Sequence, residues 1–96
     1  MLVMILGRDH PDSLQRRLAA RPAHLQRMQP LVDAGRVKFA GPLLDGEGAD
    51  SKPQGSLIVA EFESIAAAQA WAEADPYVEA GVYASIEVRP LRQVLP

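Results

Sequence analysis

Two segments of this 96-residue chain are apolar on consecutive residues, and this feature constrains the fold more than any other. Leu2–Leu6 and Leu57–Ala60 lack the alternation typical of a strand with one solvated face, so both are predicted to be strands buried on two sides. The chain has only two longer helical stretches, and these cover one side of a sheet. The pattern therefore favours a second copy packed sheet against sheet, which makes the chain a predicted homodimer.

The remaining patterns complete the order β-α-β-β-α-β. Shorter apolar runs predict further strands at Val37–Ala40 and Ser85–Val94, and Ser56–Phe62 contains the second of the two fully apolar segments. A single domain over residues 1–96 with this order is predicted to be an α+β, ferredoxin-like βαββαβ sandwich. Its four strands are antiparallel in the order 4-1-3-2, and both helices lie on one face.

The first helix is predicted to form in two pieces. Ser13 is a candidate N-cap for a helix over Leu14–Ala20. Arg21 precedes a proline and is therefore biased away from helical geometry, so a second piece is expected from Pro22 to about Ala34. Pro30 falls inside that piece, on its outer side, where a kink is best tolerated.

Composition and motifs argue against several functional classes. The chain has no cysteine, no metal-ligand spacing, no glycine-rich nucleotide loop and no aromatic platform with basic neighbours, so no metal, no cofactor and no nucleic acid is expected. The apolar start is too short to span a membrane, and a cytoplasmic location is expected. Charge is unevenly distributed along the chain. Residues 1–40 contain seven basic and three acidic side chains, whereas residues 41–96 contain three basic and nine acidic ones. The basic half suits a small anionic organic ligand, and a mixed solvated surface is the alternative.

Two polar residues occupy predicted core-facing positions. His24 is expected in the first turn of the second helical piece, on the side of Leu25 and Met28, where the positive helix end favours a neutral ring. Asp75 continues the buried stripe of the second helix after Trp71, although desolvation and the helix dipole both penalise a carboxylate there. The alternatives are a core-edge histidine satisfied by a backbone carbonyl, and an Asp-Pro helix stop that faces water.

The predicted topology brings these two residues together. The start of the first helix and the end of the second lie at the same end of the sandwich, together with Asp9 after strand one and Gly41 after strand two. A carboxylate on one imidazole nitrogen fixes the tautomer and leaves the other nitrogen free to take a proton. His24 and Asp75 are therefore the candidate catalytic pair, with Asp9 and Gly41 as candidate substrate-binding residues.

Two arginines precede His24 at spacings of seven and three residues. Arg17 and Arg21 approach the same end of the molecule, and a guanidinium fork suits a carboxylate-bearing ligand. They are candidate substrate-binding residues, with solvated surface arginines as the alternative.

The segments "RPAHL", "AGPL", "EFES", "AQAWAEADPYVEAGVY" and "IEVRPL" together resemble the YciI-like, YCII-related family over essentially the whole chain. The resemblance implies a ferredoxin-like fold that dimerises into an α/β barrel, and a His–Asp active site that falls on His24 and Asp75. It also implies kinship with muconolactone isomerase-like proteins and chloromuconolactone dehalogenases. Pro30 departs from the more regular helix of the family.

Two functions are compatible with these residues. The first is a small enzyme without a cofactor in which His24, oriented by Asp75, performs acid–base isomerisation or elimination on a small organic acid or lactone. The second is a non-catalytic dimer that binds a small metabolite or serves as an accessory domain. This function needs a binding pocket at the same end of the molecule but does not need His24 to act as a base.

Overall fold

The computed structural model describes residues 1–96 and contains one antiparallel sheet and three helices. The elements are β1 (Leu2–Asp9), α1 (Leu14–Asp33), β2 (Val37–Leu44), β3 (Pro53–Glu61), α2 (Ile65–Glu73), α3 (Pro76–Glu79) and β4 (Tyr83–Pro90). The strand order is β2-β3-β1-β4, which confirms the predicted order and the ferredoxin-like α+β sandwich. The two fully apolar segments belong to β1 and β3, the central strands.

α1 is one continuous helix of 20 residues, so the predicted division before Pro22 is wrong. Pro22 and Pro30 both lie on the exposed side, where water can satisfy the carbonyls that lose a helical partner. The helix buries Arg17, His24, Met28 and Leu31 on its other side, and this packing outweighs the local bias against helix before a proline. No helix in the structure combines the length and apolar character needed to cross a membrane.

The two predicted helix caps have different outcomes. Ser64 caps α2, because its side-chain oxygen accepts a hydrogen bond from the backbone N–H of Ala67 at 3.0 Å. Ser13 precedes α1 but makes no cap hydrogen bond, and its hydroxyl instead donates to the carbonyl of His10 at 2.7 Å. Ser13 therefore fixes the loop that leads into the helix rather than the helix end itself.

The sheet has one covered face and one open face. Alternate residues of the central strands, including Val3, Ile5, Ile58 and Ala60, are buried beneath the helices and form the main core with Phe62. The intervening residues of the strands point to the opposite face. Its apolar side chains, which no element of the chain covers, are Leu2, Met4, Leu6, Leu57, Val59, Phe39 and Leu43. This open face is the surface that the consecutive apolar residues predicted.

A glycine in β1 makes room for an aromatic ring of the covered face. A Cβ added at Gly7 would lie 2.5 Å from a ring carbon of Tyr83, a buried side chain of β4. We expect Gly7→Ala to lower the free energy of unfolding by about 1–3 kcal/mol, because the ring must shift against packed neighbours. Urea denaturation measures the change.

Gly48→Ala is the matched control, since a Cβ at Gly48 would meet nothing within 4 Å. Its free energy of unfolding should stay within about 0.5 kcal/mol of the wild type. Equal effects of the two substitutions would show that the Tyr83 ring does not need the space at Gly7.

Candidate active site

His24 lies in the middle of α1 and is buried on the covered face, where its exposure is 8%. Its Nδ1 lies 2.8 Å and 3.0 Å from the two carboxylate oxygens of Asp75. Nε2 makes no hydrogen bond within the chain and is not among the buried atoms that lack a partner, so it keeps contact with solvent. One nitrogen is therefore fixed and the other is accessible.

Asp75 occupies the junction between α2 and α3. The expected dipole penalty at the end of α2 is offset, because Asp75 is also the N-cap of α3 and its Oδ1 accepts a hydrogen bond from the Tyr77 N–H at 2.8 Å. Its side chain is only 3% exposed, so the alternative of a water-facing Asp-Pro stop is wrong. The alternative of a His24 satisfied by a backbone carbonyl is wrong as well, since its partner is the Asp75 carboxylate.

The position of His24 along its helix differs from the expected one. A first-turn position would have placed the ring at the positive helix end, but the continuous α1 begins ten residues earlier, at Leu14. The helix dipole acts within the first and last turns, so it has little influence on this ring. The buried side also differs, because Leu25 is 45% exposed while Arg17 shares the buried stripe with His24. The immediate surroundings of the ring, not the helix end, determine its electrostatics.

Tyr77 is a member of the site that the sequence interpretation did not single out. Its ring stacks on the His24 imidazole with centroids 4.2 Å apart and an interplanar angle of 17°. The Arg17 guanidinium carbon lies 4.5 Å from the centre of the same ring. The signal was present in the "DPY" triplet, because a cap at Asp75 fixes the backbone of Tyr77 two residues later. Tyr77 is thus held between α1 and the sheet by its own helix cap.

Arg17 is buried rather than solvated. One terminal nitrogen donates to the carbonyl of Gly55 at 2.7 Å and to the hydroxyl of Ser56 at 2.6 Å. The other lies 3.4 Å from Oδ1 of Asp9, whose side chain is 3% exposed. The structure therefore brings Arg17 and Asp9 together with Tyr77 and His24 in one buried polar cluster. Below, the term polar cluster refers to five residues: His24, Asp75, Tyr77, Arg17 and Asp9.

Arg21 and Gly41, two candidate substrate-binding residues, lie outside this cluster. Arg21 is exposed on α1, although its charge is close enough to act on the Tyr77 hydroxyl. Gly41 lies within β2 rather than after it, pairs with Leu57 and shares the open face with it, so the expected position of Gly41 beyond the end of strand two is wrong. The period-two alternation of β2, which the sequence interpretation ended at Ala40, turns Gly41 away from the helices.

Arg27 of α1 also contacts the site, through Trp71 and Asp75. Its guanidinium lies 4.5 Å from the ring centre of Trp71 and donates to the Trp71 carbonyl at 2.9 Å. Its other terminal nitrogen is 4.0 Å from Oδ2 of Asp75. Asp75 therefore has a positive charge on the side away from His24, which helps to stabilise a buried carboxylate.

Burial changes the acidity of three groups near the site. Desolvation raises the pKa of the Asp9 carboxyl above its ordinary value, against the positive charges of Arg17 and His10. Desolvation also raises the pKa of Tyr77, partly offset by Arg17, and raises the pKa of Tyr83, partly offset by a hydrogen bond from Ser56. No group of three or more His, Cys, Asp or Glu side chains is arranged to hold a metal ion.

Comparisons with known proteins identify relatives over nearly the whole chain. The sequence model of the YCII-related domain matches residues 1–92. Protein YciI of Escherichia coli O6:H1 is 50% identical over 97 aligned positions, which cover 98% of this chain and 99% of that protein. A protein of Haemophilus influenzae is 42% identical over the same span.

A solved structure has a closely similar fold. The 5-chloro-2-hydroxyhydroquinone dehydrochlorinase of Burkholderia phenoliruptrix AC1100, in complex with 2,5-dihydroxybenzoquinone, superposes with a TM-score of 0.86 and 34% identity. The superposition covers 96% of this chain and 94% of the dehydrochlorinase. The likeness therefore includes all the elements that form the polar cluster.

The buried tyrosines predict a loss of stability at alkaline pH. In the unfolded chain both tyrosines ionise near pH 10, whereas in the folded chain their raised pKa values keep them protonated. Above about pH 10 the folded state thus binds more protons than the unfolded state, and the free energy of unfolding falls as pH rises. Urea denaturation across this range measures the slope.

The double variant Tyr77→Phe/Tyr83→Phe lacks both phenols and should show a shallower alkaline slope than the wild type. A shared slope would mean that the two hydroxyls ionise equally easily in both states, contrary to their burial.

Proposed function

Because the chain belongs to the family of YCII-related domains, we propose that it is a small enzyme that uses the His24–Asp75 pair for acid–base chemistry on a small organic acid or lactone. The reaction is an isomerisation or an elimination, including dehalogenation. The observation that carries the proposal is the 2.8 Å contact between Nδ1 of His24 and the Asp75 carboxylate, with Nε2 left unbonded. Such a step needs one base and one group that steadies an anion, and it needs no cofactor.

The pairing assigns a role to each ring nitrogen of His24. An ionised carboxylate only accepts hydrogen bonds, so Nδ1 carries the proton that faces Asp75. Nε2 then presents its lone pair to solvent or to a ligand and is the atom that takes a proton. Stacking on Tyr77 restricts the tilt of the ring. Asp75 and Tyr77 are positioning residues in this mechanism.

The dehydrochlorinase relative supports elimination as the reaction class. In such a step Nε2 of His24 accepts a proton from a substrate carbon, the C–H electrons form a new double bond, and chloride leaves with the electrons of the C–Cl bond. The protonated ring later returns its proton to water. In an isomerisation the same proton is returned to another atom of the substrate.

The ligand is proposed to be a small anion. Arg17 supplies a positive charge inside the polar cluster, and Arg21 adds a second from the exposed side of α1. Both approach Tyr77, so the ligand is expected to lie along the face of the cluster that Tyr77 forms. Arg17, Arg21 and Asp9 are the proposed substrate-binding residues.

The test is a screen of chlorinated and unsaturated lactones, hydroxylated chloroquinols and related acids, with the wild type and three variants. His24→Ala should lower kcat by roughly 10²–10⁴-fold, because it removes the base. Asp75→Asn keeps a capping side chain but removes the charge that orients the ring, so its kcat should fall by a smaller factor. Wild-type turnover should persist in EDTA.

Lys38→Ala is the control, because Lys38 is an exposed charged residue of β2 that lies outside the polar cluster. It should retain wild-type kcat. Turnover that survives His24→Ala would discard the mechanism. Binding of 2,5-dihydroxybenzoquinone without turnover of any compound would instead favour the non-catalytic metabolite-binding domain.

We also propose that the chain forms a homodimer through its open face, which closes two sheets into an α/β barrel. Leu57 and Val59 of β3 and Met4 and Leu6 of β1 form the centre of this face. Burial of such a surface is worth on the order of 25 cal/mol for each Å² of apolar area removed from water. A second copy of the same face offers a matching apolar surface, as two-fold symmetry requires.

Analytical ultracentrifugation at micromolar concentration should show a dimer, and Leu57→Arg should shift it to monomer. Leu25→Arg is the matched control, since Leu25 is 45% exposed on the opposite, helical side. A monomeric wild type, or equal effects of the two arginines, would contradict the proposed interface.

A further inference from the structure

Asp9 holds a carboxylate oxygen that nothing in the chain satisfies. Its side chain is 3% exposed, and Oδ1 lies 3.4 Å from Arg17, a distance at the long end for a hydrogen bond. Oδ2 is buried and has no hydrogen-bond partner within the chain. Among all side-chain oxygens of the protein, this is the only one that is both buried and unpartnered.

An ionised carboxylate is poorly suited to this position. A buried charge without a partner on each oxygen carries a large desolvation penalty, and a buried acid responds by holding its proton. Desolvation is the dominant cause that raises the pKa of Asp9, and it outweighs the charges of Arg17 and His10. The other titratable groups nearby are Tyr77 of α3 and Tyr83, the β4 partner of Asp9 in the sheet.

We propose that Asp9 is a second proton-carrying residue of this site, whose Oδ2–H donates a hydrogen bond to a carbonyl oxygen of the substrate. The inference rests on the proposed acid–base function and narrows its substrate class. The substrate carries a carbonyl group that a carbon–carbon double bond separates from the carbon that His24 deprotonates, so that negative charge develops through the conjugated system on the oxygen bound by Asp9.

The location of Asp9 fits contact with a ligand. Asp9 lines a cavity of about 600 Å³ between the loop that follows β1 and the segment that precedes β3. The rim is polar and includes His10, Asp12, Asp45 and Lys52. Asp9 is the one residue of the polar cluster that lines this cavity, and a ligand oxygen reaches Oδ2 after a rotation of the Asp9 side chain, because Oδ2 itself is shielded from solvent.

Asp9 is linked to His24 through two shared neighbours. Arg17 contacts the Asp9 carboxyl on one side and the Tyr77 ring on the other, and Tyr77 stacks on His24. Arg17 and His24 are seven residues apart on α1, which places their backbones roughly 10 Å apart along the helix axis. Asp9 and His24 thus belong to opposite ends of one cluster, which suits action at the two ends of a conjugated substrate rather than on neighbouring atoms.

The proposed step balances in protons and electrons. Nε2 of His24 takes the proton of the carbon beyond the double bond, the C–H electrons form a new carbon–carbon double bond, and the electrons of the existing one shift to the bond with the carbonyl carbon. The carbonyl π electrons move to the oxygen, which takes the proton of Asp9 and becomes an enol. Asp9 is left ionised beside Arg17, whose charge stabilises it at that stage. Return of both protons to the substrate, in either order, regenerates the site.

The first test does not depend on turnover. The carboxyl ¹³C signal of Asp9, assigned by its loss in Asp9→Asn, should titrate at a higher pH than the ordinary range near 4. Because the folded pKa is then above the unfolded pKa, Asp9 makes the wild type progressively less stable as pH rises from about 4 towards the folded pKa. The Tm of Asp9→Asn minus that of the wild type should therefore grow with pH in this window.

Asp12→Asn is the matched control, because it makes the same charge change on an exposed aspartate that lines the same cavity. Asparagine also tolerates the positive φ of 58° at Asp12. The control should leave the ¹³C titration of Asp9 in place and show no growing difference in Tm. An ordinary or lowered Asp9 midpoint, or a Tm difference of the opposite sign, would overturn the inference even if His24 proved to be the catalytic base.

The second test separates donation of a hydrogen bond from provision of a negative charge. Asparagine can donate a hydrogen bond but cannot give up a proton, so Asp9→Asn should leave KM within a few-fold of wild type and lower kcat by roughly 10²-fold. Asp9→Ala removes the hydrogen-bond donor, so it should raise KM as well as lower kcat. Wild-type kcat in Asp9→Asn, with His24→Ala inactive, would overturn the role of Asp9 while leaving the proposed function intact.

If no compound is turned over, the titration and the stability comparison still decide whether Asp9 keeps its proton. Binding of 2,5-dihydroxybenzoquinone then replaces KM as the ligand measurement, with the same order expected for the asparagine and alanine variants. Equal affinity of wild type and Asp9→Ala would overturn the contact between Asp9 and the ligand.

Discussion

The carboxylate of Asp75 is the contact on which the rest of the site depends. It binds Nδ1 of His24, caps the helix that begins at Pro76, and lies 4.0 Å from Arg27. The cap fixes the backbone of Tyr77, and the ring of Tyr77 then stacks on the same histidine that Asp75 orients. A single buried side chain therefore connects α1 to the α2–α3 junction and positions two rings at once.

Those contacts explain why α1 remains one helix across two prolines. A break at Pro22 would rotate the upper part of the helix relative to the lower part, and Arg17 could not keep its bonds to Gly55 and Ser56 while His24 kept Asp75. Each proline removes one hydrogen bond on the exposed side, where water replaces the lost donor. Tertiary contacts along the buried side thus decide the local geometry, and the bias of the residue before a proline is overridden.

The sequence was sufficient to predict the strand order and the meeting of His24 with Asp75, because both follow from topology and from side chains that oppose the hydrophobic pattern. It was not sufficient for Arg17, whose partners are a backbone carbonyl and a hydroxyl from β3, 38 and 39 residues away. Gly41 was misplaced because β2, predicted to end at Ala40, continues to Leu44, so the alternation of the strand turns Gly41 to the open face. Contacts of this kind depend on register and depth, which periodicity alone does not supply.

The two faces of the sheet differ in polarity, and each face is suited to a different role. The open face is apolar and matches itself, so covering it requires nothing more specific than a second copy. The covered face instead contains an arginine, two aspartates and a histidine at depths where uncharged packing would be more stable. A fold of 96 residues has a limited core. A core that nevertheless holds an unpartnered oxygen at Asp9 has given up stability at that position, and the proposed substrate contact is a function for which such a loss is retained.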